Sequence, residues 1–429
     1  MNSELLQQVR VIDPVSGNDK LADVLIAEGF IKAVEPKIAH YPANTVVRDC
    51  RGLILGPGLV DLYSHSGEPG FERRETWLSL LAAAAVGGFT RLTILPDTVP
   101  AVDNLAGLAR LRQQEFENKH ISSLFPLPPS PPHVHYWGAI TLKQEGQQMT
   151  ELAELASGGV VGFADGCGLS NLALVRRVLE YLEPFGKPVA LWACDSKLVG
   201  DGVMREGAGS IRLGLPGNPA IAESAALAAL LEVIAVTGNP VHLMRISTRR
   251  GVELIRDAKA RGLPVTASTT WMHLLFNTKD LNSYNPNFRL EPPLGNPSDQ
   301  IALIEGVREG ILDAIAIDHS PFTYEEKTVP FAEAPPGAIG LELALPLLWH
   351  TLVEKGGWSA LQLWQCLSTN PAFCLQQEPA AIAPGKPAEV LLFNPQLTWR
   401  VGTDTLKSLS TNTPLLGQQI VGRVVQTWC

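Results

Sequence analysis

LVDLYSHSGEPGFERRETWLSLLAAAAVGGFTRLTIL, residues 59–95, decides the architecture. It opens on an apolar run of strand length, crosses a polar turn region, enters a run of good helix formers closed by two glycines, and returns to a second strand-like run. Strand, helix and strand in that order form a unit whose strands pair in parallel. Working outward, strand candidates recur at 59–65, 90–95, 135–140, 159–164, 188–193, 240–246, 264–269 and 314–318. Helical patterns lie between them, such as NLALVRRVLEYLEPFG, AESAALAALLEVIAVTG and GVELIRDAKARG. Each of these ends in Gly, the residue that best tolerates the left-handed cap of a helix. Eight such units are the arithmetic of a (β/α)8 TIM barrel.

Both ends of the chain read differently. QVRVIDPVSG, ADVLIAEGFIKAVEP and NTVVRDC at the N-terminus, and APGKPAEVLLFNP and GRVVQTWC at the C-terminus, are short apolar runs broken by turn residues. Each set is too small to bury a core alone, so the two are expected to combine. The expected organisation is α/β: a barrel over 56–375 and a small β-sandwich domain made of 1–55 and 376–429. Two further helical patterns, at 341–353 and 359–367, follow the eighth unit. The proline-rich SLFPLPPSPPHVHYW is expected to form an exposed, stiff loop before the third strand.

Composition narrows the functional classes. With 45% hydrophobic and 18% charged residues, the 429-residue chain can bury a large core and does not have the composition of a disordered one. A net charge of -9 without basic clusters argues against a nucleic-acid partner. The six cysteines include no C-x-x-C pair, which argues against a disulfide framework or a thiolate zinc site and fits a cytoplasmic protein. The N-terminal residues lack the features of a secretory signal, and no apolar run reaches the ~18 residues of a membrane span, so no membrane association is expected.

In a TIM barrel the chemistry sits on the loops that follow the strands. Here those positions are Tyr63, His65, Gly67 and Glu68; Asp97; Asp165; Trp192 and Asp195; Arg245; His273; and Asp318 with His319. In their setting a family resemblance emerges. GPGLVDLYSHSGEPGFERRET, GAITL, GVVGFADG, GVMREG, RLGLPGNPA, RGLPVTA, EPPLG, AIDHSPF and EAPPGAIGLELALPL resemble, in order and almost end to end, the dihydroorotases of the cyclic amidohydrolase family.

The resemblance implies a barrel with one or two zinc ions at its mouth, where metal-bound hydroxide opens the dihydroorotate ring and a carboxylate serves as acid/base. It also implies which residues should hold the metal, and most are changed. The His-x-His after the first strand stands as Tyr63-Ser64-His65, the strand-five histidine as Trp192, and the strand-six histidine as Arg245. His65, Asp165 and Asp318 remain as metal candidates, with Asp318 also the catalytic candidate. Among substrate positions the family's arginine after His-x-His is Gly67, its asparagine in the second loop is Asp97, its arginine after Pro-Pro-Leu is Gly295, and the histidine beyond Asp-His is Phe322. Asp97, Gly67 and His319 are the substrate-binding candidates that remain.

Arg245 carries a charge at every ordinary pH and has no lone pair for a cation, so it is expected to pair with Asp318 or Asp165 instead. Asp165 reads equally as a bridging carboxylate or as a helix cap, and His65 as a hydrogen-bonded strand-end residue rather than a ligand. Asp318 and His319 retain the family's Asp-His pair, which reads as residual acid/base chemistry or, in preference, as a structural relic satisfied by Arg245 and backbone. Trp192 and Trp271 are expected to fill the emptied pocket. His133-Val134-His135, though spaced like a ligand pair, falls at the opposite end of the barrel. Glu68, Asp97 and Glu291 would make an acidic mouth, suited to a cationic or neutral ligand.

Two readings of function follow. In the first, the chain resembles the inactive dihydroorotase homologues that partner aspartate transcarbamoylase: a pseudoenzyme with a degraded zinc site and no cofactor, kept as a structural or regulatory subunit of pyrimidine biosynthesis. In the alternative, it is an active cyclic amide hydrolase that uses a single zinc on His65, Asp165 and Asp318, or no metal. A homo-oligomer is compatible with either.

Overall fold

The 59–95 stretch folds into strand Leu59–Ser64, helix Trp77–Gly87 and strand Phe89–Ile94, with the two strands paired in parallel. Thr76 starts the helix by accepting the Ser79 amide, and Gly88 at φ 89° ends it. The computed structural model describes residues 3–121 and 131–429. Within them the unit repeats through His133–Gly138, Gly162–Phe163, Val189–Trp192, Val241–Met244, Val265–Thr270 and Ala314–Ala316. All eight strands lie side by side in chain order in one parallel sheet.

The sheet closes on itself between its first and last strands. The His65 amide donates to the His319 carbonyl at 2.9 Å and the Asp318 amide to the Tyr63 carbonyl at 3.2 Å. The buried Asp61 carboxylate accepts the Ile317 amide at 2.9 Å, completing the seam with a side chain where no backbone acceptor serves. Inside the barrel, Val60, Leu62, Trp137, Ala190, Met244 and Ala316 pack as a core. Trp137 claims much of that space and donates its indole N–H to the Leu62 carbonyl at 2.9 Å. A Cβ at Gly162 would lie 2.5 Å from its ring, so the two-residue fourth strand carries glycine where the tryptophan crosses it.

The third strand starts at His133, two residues earlier than expected. His133 and His135 therefore lie on the strand itself, at its N-terminal end, with His133 opposite Arg91 and far from the loops that follow the strands. Residues 122–130, which include the first eight of the proline-rich segment, lie outside the described residues.

Both chain ends meet in one seven-stranded sheet. Glu4–Asp13, Asn18–Ala27, Phe30–Glu35, Val46–Asp49 and Ile54–Pro57 join Val390–Arg400 and Gln419–Trp428, the link being the antiparallel pairing of Ile54–Pro57 with Val390–Phe393. Leu6, Val9, Val24, Ile31, Leu55, Val390 and Leu392 form its core, contributed by both termini as their shortness demanded. The Arg91–Glu389 ion pair at 2.7 Å and the Trp364 indole bond to the Pro57 carbonyl at 3.2 Å fasten this sheet to the barrel. Among the described residues no helix is long and apolar enough to cross a membrane.

Candidate functional site

A cavity of about 270 Å³ opens at the end of the barrel where the strands deliver their last residues. His65, Gly67, Asp97, Trp192, Arg245 and Asp318 all line it. Five different strand ends are thus drawn to one place, as barrel closure requires.

Arg245 and Asp318 form its centre. Arg245 Nε donates to Asp318 Oδ2 at 2.8 Å and Nη2 to Oδ1 at 2.7 Å, a two-pronged pair in which planar guanidinium meets planar carboxylate. Arg245 Nη1 donates to the Gly166 carbonyl at 2.7 Å, and the guanidinium carbon lies 5.2 Å from the Trp192 ring centre and 5.6 Å from that of Tyr63. Both partners sit in the left-handed region, with φ 56° at Arg245 and 54° at Asp318. That conformation costs about 1 kcal/mol or more at each residue, which the paired charges and packing must offset. Burial opposes charge on Asp318, but Arg245 and His65 hold its carboxyl far below the ordinary range. Burial likewise opposes the Arg245 charge, and Asp318 more than compensates.

His65 bridges this pair to Asp97. Its Nδ1 lies 2.5 Å from Asp97 Oδ2, and its Nε2 lies 3.4 Å from Asp318 Oδ1 and 3.3 Å from Arg245 Nη2. Burial disfavours the imidazolium, yet Asp97 and Asp318 outweigh it and raise His65 to about 9. Two cations, His65 and Arg245, then balance two anions, Asp97 and Asp318, in one buried cluster.

Beneath the cluster a polar chain runs into the barrel. The Arg245 amide donates to the Tyr63 phenol oxygen at 3.2 Å, that oxygen lies 3.0 Å from Ser268 Oγ, and Ser268 Oγ lies 2.9 Å from His242 Nε2. Burial raises the Tyr63 phenol and lowers His242 to about 3, so both are neutral hydrogen-bonding groups. Sequence reading missed this chain: His242 is a polar residue in the otherwise apolar strand Val241–Met244, whereas Ser268 stands among the threonines of Val265–Thr270 and gave no signal.

Other expected residues are placed elsewhere. Asp165 is not among the residues that line the cavity, and it caps no helix: it accepts the Ile140 amide at 2.7 Å, the Thr141 amide at 3.0 Å and the Thr141 hydroxyl at 2.6 Å, fixing the third loop. His319 is buried away from the cavity. The Gly340 amide donates to its Nδ1 at 3.1 Å, which leaves the Nε2–H to face Glu75 at 3.3 Å. Glu75 also accepts the Leu409 amide at 2.8 Å and the Ser408 hydroxyl, so His319 helps hold the C-terminal segment to the barrel rather than a substrate. Glu68 accepts the Trp77 amide at 2.9 Å and belongs to the helix start, not to an acidic mouth. A Cβ at Gly67 would come within 2.3 Å of the Glu75 carbonyl, so no side chain fits there without moving backbone.

These placements test the site against zinc. Tyr63 keeps its proton, Trp192 and Arg245 offer no lone pair, Asp318 has both oxygens engaged by Arg245, and Asp165 is spent on backbone. Among the described residues no three His, Cys, Asp or Glu side chains are grouped to share a metal ion. The donor set does not fit zinc.

In architecture the chain matches solved hydantoinases: L-hydantoinase from Arthrobacter aurescens superposes with a TM-score of 0.83 at 20% identity, covering 100% of this chain and 94% of that one. Dihydropyrimidinase from Brevibacillus agri gives 0.80 at 20% identity, over 99% and 93%. The barrel with its terminal sheet is thus the fold of these hydantoinases. A dihydro-orotase-like family model matches residues 52–251. A probable dihydroorotase-like protein of Synechocystis is 44% identical over 99% of both chains, and a dihydroorotase of Pelobacter propionicus 38% identical over 99% of this chain and 97% of its own. This chain belongs to the dihydroorotase-like family.

Proposed function

We propose that this chain is a non-catalytic dihydroorotase-like subunit of pyrimidine biosynthesis, serving a structural or regulatory role with aspartate transcarbamoylase in the cytoplasm. The observation that carries the loss of catalysis is the Arg245 guanidinium, which engages both oxygens of Asp318 where the family's metal would draw on them. A fixed cation there repels a metal ion and neutralises the carboxylate that would move protons. Gly67 adds the loss of the substrate clamp, since a side chain returned to that position meets the Glu75 backbone. The choice of partner rests on the resemblance to inactive homologues of this family.

Metal analysis of the purified chain, together with dihydroorotate turnover in both directions, tests the first part. Substoichiometric zinc and background turnover are expected; one zinc per chain with turnover above background would establish the hydrolase reading instead. Co-purification with aspartate transcarbamoylase tests the second, and failure of the two to associate at micromolar concentration removes the partner.

A further inference from the structure

We infer that residues 406–413 form a pH-sensitive strap, which holds the loops that wall the mouth cavity and releases them as Glu342 ionises. The strap belongs to the connection between the last two strands of the terminal sheet, yet its hydrogen bonds go to the barrel. Asn412, 4% exposed, is its hub. The Asn412 side-chain amide donates to the Ser320 carbonyl at 2.9 Å and the Gly337 carbonyl at 3.2 Å, its Oδ1 accepts the Phe322 amide at 3.1 Å, and its backbone carbonyl accepts the Ile339 amide at 3.2 Å. Ser410 Oγ donates to the Arg74 carbonyl at 2.6 Å. Arg74, Ser320, Phe322 and Gly337 line the cavity, whereas no residue of the strap does. The strap therefore fixes the cavity wall from behind.

Two buried carboxyl groups grip consecutive residues of the strap. Glu342 accepts the Lys407 amide at 2.8 Å and the Ser408 amide at 3.0 Å, both on Oε1, so that no donor is bonded to Oε2 among the described residues. Glu75 accepts the Leu409 amide at 2.8 Å and the Ser408 hydroxyl. Of the charged groups around Glu342, Glu75 disfavours its ionisation and Arg423 favours it, Lys407 on the strap itself is exposed, and His319 stands against Glu75 at 3.3 Å. Arg423 donates to the Thr405 carbonyl at 3.2 Å and lies over the Trp399 ring, and it forms no ion pair with Glu342. Burial first, and the Glu75 charge after it, keep the proton on Glu342 up to about 7. A released strap uncovers this carboxyl to water, where it ionises at its ordinary value of 4.5. Release thus sheds a proton, and raising the pH from 6 to 8 makes it about tenfold easier.

Hydrogen exchange of the intact protein tests this, read by mass spectrometry at pH 6 and pH 8 and corrected for the intrinsic pH dependence of exchange. Protection of the Lys407, Ser408 and Leu409 amides is expected to fall about tenfold between the two, and that of the Phe322 and Ile339 amides, both held by Asn412, to fall with it. Glu342→Gln keeps an acceptor for the two amides but cannot ionise, and should hold protection level over this range. Asn412→Ala should expose Phe322 at both pH values while the fall at Lys407 and Ser408 persists. Strand Val241–Met244, buried throughout, is the internal reference for global unfolding. Equal protection of the wild-type strap at pH 6 and pH 8, a fall that survives Glu342→Gln, a fall in the strap that spares Phe322 and Ile339, Phe322 as protected in Asn412→Ala as in the wild type, or an equal fall in the reference strand each overturns the inference.

Discussion

Replacing Arg245 by methionine keeps most of the side-chain length and removes the charge. Its cost follows from the geometry. Asp318 then remains buried with both oxygens stripped of donors now held at 2.7 and 2.8 Å, and the Gly166 carbonyl loses its donor at 2.7 Å. Opposite charges at a separation of about 4 Å in an effective dielectric of about 20 attract by about 4 kcal/mol. Removing one member of a buried pair typically costs about 3–5 kcal/mol, because the other is left without a partner. His65, charged and 3.4 Å from Asp318, recovers part of this, which places Arg245→Met at about 3 kcal/mol. Asp318→Asn strands Arg245 and is expected to cost a similar amount. The double variant leaves neither charge unpaired there and should be less destabilised than the sum of the singles by about 2 kcal/mol. Urea denaturation followed by tryptophan fluorescence measures all four proteins, with Trp192 beside Arg245 as a local reporter. A loss under about 1 kcal/mol for Arg245→Met, or strict additivity in the double variant, would refute the argument that this pair replaces a metal as the centre of the barrel mouth.

Tyr63→Phe removes the phenol that accepts the Arg245 amide and contacts Ser268, and should cost about 1–3 kcal/mol in the same urea assay; a neutral outcome would mean that the polar chain inside the barrel does not support Arg245. Glu342, raised by burial to about 7, accepts the Lys407 and Ser408 amides. Its folded state holds a proton that the unfolded chain releases from about pH 4.5, so its contribution is complete below that pH and is lost as pH rises through 7. Glu342→Gln should flatten the stability profile across this window by up to about 3 kcal/mol, and an unchanged slope would count against the shift. The triple reversion Tyr63→His, Trp192→His and Arg245→His should take up zinc measurable by metal analysis; a folded but metal-free protein would show that these positions are not the lost ligand set.

Much of the barrel was written in local pattern. Apolar runs of strand length, helices closed by glycine and the 59–95 unit fixed eight strands in order, because parallel strands joined by helices have few ways to close. The terminal sheet was legible by a different route, since two sets of short strands, each unable to bury a core, had to find one another. Tyr63, Trp192 and Arg245 stood out at the strand ends, and the resemblance to the dihydroorotases implied that they replace histidines there.

What the sequence left open was which of two carboxylates Arg245 would choose, and what the other would do. Asp165 and Asp318 are alike as strand-end acids, and only the closed barrel sets their distances from the guanidinium. The left-handed backbone at both Arg245 and Asp318 turns their side chains toward each other, whereas Asp165 faces the amides of Ile140 and Thr141. Local sequence determined strands, helices and the residue types at the strand ends; tertiary structure decided which charges became partners, because that depends on atoms brought together from distant strands.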